Sequence, residues 1–160
     1  REEKGWTYGF TGGVADTPVG PRTFTASGTV ETDRTADAMR EVRREIADYV
    51  ADRPATLKEL ERARTARMRA LPPAFAGNAA FLSGITGAAA YGQPYDRAAT
   101  SGARLAAVSL DQVQAVSRTT YDPTRLTWVV VGDLSRIEAP VRALNFGPVE
   151  VWDIYGHKVR

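Results

Sequence analysis

The stretch Thr23-Phe24-Thr25-Ala26-Ser27-Gly28-Thr29-Val30-Glu31-Thr32-Asp33-Arg34-Thr35 decides how the rest of the sequence is read. Its first half places Phe24, Ala26, Gly28 and Val30 on one alternating face, amid threonines that favour extended backbone. The second half supplies side-chain oxygens at positions 32–35 that suit a helix N-cap, and there the period changes. Met39, Val42, Ile46, Tyr49 and Val50 recur at steps of three, four, three and one, which predicts an amphipathic helix ending before Pro54. Upstream, Trp6 to Val14 is a second β-rich run, separated from the first by the turn cluster Asp16-Thr17-Pro18-Val19-Gly20-Pro21. The two runs pair most simply as an antiparallel hairpin. Gly9, Gly12 and Gly13 thin one side of the first strand, so a bulge or the close approach of another backbone is expected there.

Downstream, Thr56-Leu57-Lys58-Glu59 is a capping box opening a second helix with the apolar stripe Leu60, Ala63, Met68 and Leu71, expected to stop at Pro72-Pro73. Residues 74–91 are rich in Ala and Gly and carry Phe75, Phe81, Leu82 and Ile85; they predict a third helix, closely packed because its side chains are small. After Gly92-Gln93-Pro94 comes a helix around residues 97–108, and Ser109-Leu110-Asp111-Gln112 caps another that ends at Asp122-Pro123. Leu126-Thr127-Trp128-Val129-Val130-Val131 reads as a central strand buried on both faces, turned at Gly132-Asp133. A short helix near residues 136–144, despite Pro140, and a last strand at Val149-Glu150-Val151-Trp152 close the chain. Strands and helices are segregated along the sequence, so the expected fold is α+β: one domain over residues 1–160, with an antiparallel-rich sheet packed on one side by several helices.

The 160 residues contain no cysteine, which excludes thiol nucleophiles, iron–sulfur clusters, thiolate zinc sites and disulfide scaffolds. Twenty-one basic against nineteen acidic residues give a net charge of only +2, so composition alone points to no nucleic acid. No apolar run is long enough to span a membrane. Arg40, Arg43, Arg44, Arg62, Arg64, Arg67 and Arg69 are interleaved with Glu41, Glu45, Asp48, Glu59 and Glu61, a pattern read as solvated helix faces laced with ion pairs. The one histidine, His157, has no second histidine to form a ligand pair and reads as an exposed tail residue. Val129 to Asp133 has a single glycine after a strand, too little for a dinucleotide fingerprint.

Arg1 to Lys4 followed by Gly5 reads as the last turn of a helix stopped by a left-handed glycine, so the opening is expected to be a cut element. Arg1 lies one turn before that stop and Tyr8 three residues after it, so the corner can aim both side chains into one cleft. A guanidinium and a phenol together offer hydrogen-bond donors without a base or a nucleophile. That combination suits polarising a carbonyl and stabilising an oxyanion while the attacking group comes from elsewhere. A helix-end charge and a sheet aromatic are the alternative roles for the two residues.

Arg1-Glu2-Glu3-Lys4-Gly5-Trp6-Thr7-Tyr8 resembles the R-E-x-x-G-x-x-Y stretch in the C-terminal module of the pitrilysin/insulinase family of zinc metallopeptidases. Thr32-Asp33, Leu57-x-x-Leu60-Glu61-x-Ala63, Tyr91-Gly92-Gln93-Pro94, Val113-Gln114-Ala115-Val116, Tyr121-Asp122-Pro123 and Val129-Val130-Val131-Gly132-Asp133 are similar to that family in the same order. The resemblance implies a split active site. An H-x-x-E-H helix in an N-terminal module or partner subunit would bind Zn2+, outside this segment, and this chain would contribute Arg1 on substrate backbone carbonyls and Tyr8 on the scissile carbonyl. The implied substrate is an unfolded peptide or protein. The zinc motif and the first strands and helix of the family module are absent here, so the segment alone is expected to be inactive. The family also includes non-catalytic assembly subunits, the alternative for this chain. Because many bacterial relatives are exported, the resemblance favours a periplasmic over a cytoplasmic location.

Overall fold

A computed structural model describes residues 4–15, 17, 19–74 and 76–160, except for the side chains of residues 73 and 74. Two strands, β1 (Thr7–Val14) and β2 (Phe24–Val30), are followed by a 3-10 turn at Thr32–Arg34. Six helices follow: α1 (Thr35–Val50), α2 (Leu57–Ala74), α3 (Asn78–Ala90), α4 (Arg97–Ala106), α5 (Leu110–Thr120) and α6 (Leu134–Arg142). The fold is α+β, as the order of elements implied. β1 and β2 form a two-stranded antiparallel sheet. The close backbone approach falls on the second strand. A Cβ at Gly28 would sit 2.7 Å from the Gly9 carbonyl oxygen and 2.8 Å from the Phe10 ring, so the ring lies over a position that only glycine can fill.

The chain divides into two compact units. The first comprises residues 1–13, 25–46 and 123–160. Within it the main chain of Glu31 donates to the Trp6 carbonyl, and Arg136 reaches the Asp33 carboxylate at 2.6 Å, tying α6 to the turn before α1. Asp133 caps α6 by accepting from the Ser135 amide at 3.0 Å, and Ile137 is buried beneath that turn. The second unit comprises residues 14–24 and 47–122. Here Phe24 and Tyr49 both meet the Tyr121 ring edge-on, at centroid distances of 4.7 and 5.7 Å. Burial, reinforced by the neighbouring Tyr49, pushes the Tyr121 phenol above its ordinary pKa. Both expected capping boxes form. The Thr56 amide donates to Glu59 at 2.8 Å while the Glu59 amide donates to the Thr56 hydroxyl, and Ser109 and Gln112 exchange the same pair of bonds.

Five sequence expectations need correction. Residues 126–131 are not a buried central strand: they make no backbone hydrogen bond among the described residues, and Val129 and Val131 are 86% and 94% exposed. Six β-favouring residues specify extended backbone but not the neighbour that would pair with it. The last strand is reduced to an isolated bridge between Trp152 and Lys158. Pro72-Pro73 does not stop α2, which continues to Ala74 although neither proline has an N–H to donate to the carbonyl four residues earlier. Its covered stripe holds Leu60, Arg64 and Leu71, with Ala63 and Met68 exposed. Arg64 donates to the Val108 carbonyl at 2.6 Å and pairs with Glu61 at 2.7 Å. Finally, α3 is not closely packed: Phe81 and Leu82 are each 62% exposed.

Candidate functional site

The head of β1 is built by a change of backbone hand. Gly5 has φ 68°, a conformation that side-chain-bearing residues rarely adopt, and the chain then enters the strand at Thr7. Trp6 is held at this corner by cations: the Lys4 ammonium lies 4.9 Å and the Arg34 guanidinium 5.6 Å from its ring centroid. Lys4 also pairs with Glu41 of α1 at 3.3 Å. The Thr7 hydroxyl accepts from the Gly9 amide at 3.0 Å, which fixes the backbone on either side of Tyr8. Tyr8 is then presented outward, 89% exposed. Arg1, the other half of the expected donor pair, lies outside the described residues, as do Glu2 and Glu3.

A groove of about 520 Å3 runs between the hairpin and α1, lined mainly by Trp6, Phe10, Ala26, Val30, Val42 and Ile46. Glu41 and Glu45 add carboxylates and Lys4 an ammonium to an otherwise apolar wall. The Arg44 hydrogen bond holds the Glu41 carboxyl below its ordinary pKa, with Lys4 adding to the effect against the cost of burial. Glu41 is therefore an ion-paired carboxylate at neutral pH and not a poised base. Tyr8 is not among the lining residues. Sequence reasoning passed over this groove, although the alternation that placed Ala26 and Val30 on one strand face and the period that placed Val42 and Ile46 on one helix face were its signal.

The remaining chemistry is structural. Among the described residues no group of three or more His, Cys, Asp or Glu side chains converges to hold a metal ion, so these residues do not fit a zinc site; a site in another module is a separate matter. His157 lies on the exposed tail, 3.3 Å from the Asp153 carboxylate. Asp153 also accepts the His157 and Tyr155 amides at 2.8 and 2.9 Å, which keep its carboxyl below the ordinary pKa and fold the terminal turn. Gln114 donates to the Ala55 carbonyl at 2.8 Å, tying α5 to the residue before the α2 capping box. The stretches around Gln114 and Tyr121, which carry part of the family resemblance, thus make packing contacts. Compared with known proteins, the chain matches no family model, no curated protein and no solved structure.

Proposed function

We propose that this chain is the C-terminal, substrate-binding portion of a zinc metalloendopeptidase resembling the pitrilysin/insulinase family. The observation carrying the proposal is the presentation of Tyr8. Its phenol projects from a strand whose backbone is fixed by the left-handed Gly5 before it and the Thr7–Gly9 turn around it. A phenol held outward on a fixed strand donates to a carbonyl oxygen that becomes negative as the carbon turns tetrahedral. Arg1, seven residues earlier in the same motif, serves as the donor to substrate main-chain carbonyls. Zinc and the base that activates water belong to a second module carrying H-x-x-E-H, and the substrate is an unfolded peptide.

In the complete assembly, Tyr8→Phe is expected to lower kcat for an unstructured fluorogenic peptide by about 10²-fold, with a smaller change in KM. Arg1→Ala is expected to raise KM. Unchanged kinetics in Tyr8→Phe would remove the phenol from the reaction.

A second reading is favoured by the thinness of the core. Among the described residues the buried apolar side chains are Ala38, Met39, Ala55, Ala88 and Ile137, while much larger ones face solvent. A chain that buries so little suits an assembly subunit of the same fold, without catalysis. A folded, zinc-loaded assembly with no peptidase activity would select that reading.

A further inference from the structure

Residues 126–131 contain no turn, bend or left-handed residue, and their main-chain N–H and C=O groups have no hydrogen-bond partner among the described residues. Side chains alternate along the run. Leu126 and Trp128 are half-buried, Trp128 against Phe146 with ring centroids 5.7 Å apart, while Thr127, Val129 and Val131 face solvent. An extended run with one face anchored and its backbone bonds unmade is a template for a further strand. Its ends narrow the choice of strand. The chain bends at Arg125 and at Gly132, with Asp133 just beyond, so an exposed cation closes one end and an exposed anion the other. Arg125 has no acidic partner among the described residues. Asp133 accepts from the Ser135 amide and hydroxyl through one carboxylate oxygen, Oδ1.

We propose that residues 126–131 pair with the same residues of a second copy of this chain, as antiparallel strands about a two-fold axis with Val129 opposite Val129. A two-fold axis through such a pair sets one residue opposite its own equivalent, and every other residue opposite the one equally far on the far side. Centred on Val129, Arg125 of each copy meets Asp133 of the other. Centring on Trp128 or Val130 brings neither charge to the other. The same register sets Trp128 opposite Val130, an aromatic against a β-branched side chain, and Thr127 opposite Val131. A parallel in-register pair would set Arg125 against Arg125 and Asp133 against Asp133, so the end charges select the antiparallel form. Asp133 lies one step past the bend at Gly132, a gap that the length of the arginine side chain spans. An unrelated strand could take up the main-chain bonds, but the run from Arg125 to Asp133 is its own complement. So short a pair is small against a standard interface, and the dimer is therefore weak and concentration-dependent. The proposal is independent of the peptidase reading.

The test is sedimentation of the full chain over a concentration series reaching the millimolar range, in low and in high salt. A monomer–dimer equilibrium that weakens as NaCl is raised is expected. Arg125→Asp sets carboxylate against carboxylate at both ends and should raise the dimer dissociation constant about tenfold. Asp133→Asn keeps a helix-capping side chain and should raise it about threefold. Val129→Asp should abolish the dimer by placing two carboxylates together at the axis, and because Val129 faces solvent its circular dichroism should match the wild type. The chain has no cysteine, so single introduced thiols report the register. Val129→Cys should form a disulfide-linked dimer on mild oxidation, whereas Thr127→Cys, whose two copies would stand about 13 Å apart, should not. The proposal is overturned by a chain that stays monomeric throughout, which would leave the run to a different polypeptide, or by species larger than a dimer. A dimer indifferent to Val129→Asp, or one that crosslinks at Thr127→Cys in place of Val129→Cys, overturns it as well.

Discussion

α1 and α2 are neighbours in sequence, similar in length and both rich in arginine, yet they handle charge in opposite ways. α1 spaces its acids along its length, and Arg40 meets Asp37 at 2.8 Å while Arg44 reaches both Glu41 and Glu45. α2 confines its acids to the first turn and a half, so among the described residues only Arg64 of its arginines pairs with one, Glu61. The apolar side differs as well: Met39 of α1 is buried, and Met68 of α2 is not. Composition is therefore a poor guide to the role of a helix. The spacing of acid to base decides whether an arginine face is neutralised by its own helix or left for another surface.

The largest way to break that contrast is in the core. Met39→Ala should cost about 3 kcal/mol in urea denaturation and Met68→Ala less than about 1 kcal/mol; equal losses would mean that the two helices are equally covered. Next comes the single arginine of α2 that acts structurally. Arg64→Met strands the Val108 carbonyl and should cost about 1–3 kcal/mol, whereas Arg62→Met and Arg69→Met should change stability by less than about 0.5 kcal/mol.

The smallest effect separates two carboxylates by what depresses them. Glu41 is lowered chiefly by Arg44, and Glu59 by the Thr56 amide and then its hydroxyl. A carboxyl with a folded-state pKa below its unfolded value contributes stability that is fully present above the unfolded value. That contribution is lost as pH falls through the folded one. Both Glu41→Gln and Glu59→Gln should therefore flatten the acid limb of a stability–pH curve. Added salt should shrink the difference made by Glu41→Gln more than that made by Glu59→Gln, because the Arg44 and Lys4 partners of Glu41 are charged whereas the Thr56 amide and hydroxyl are neutral donors. Identical salt responses would show that the cap is electrostatic too.

The hairpin, both capping boxes and α4 to α6 were legible because each is specified by residues within a few positions of one another. Thr56 and Glu59 need nothing else in order to meet. Residues 126–131 were misread because an apolar β-favouring run fixes a conformation, while its burial depends on a strand that the local sequence does not contain. α3 was misread for a related reason: small side chains permit close packing on every side but choose no side. At the candidate site, the corner at Gly5 and the strand carrying Tyr8 were readable from glycine and β-branched residues. The groove between the hairpin and α1 was not, because it arises from two elements whose distance no periodicity encodes.

The open backbone at residues 126–131 also carries a clock. Among the described residues their amides have no main-chain acceptor, and such amides exchange with deuterated solvent almost as fast as those of an unfolded chain, while those inside α1 or α5 are shielded. Trp128 to Val131 should therefore take up label within the first seconds. Any chain or segment that adds a strand there would register as a delay at those few amides, visible by mass spectrometry before the identity of the newcomer is known.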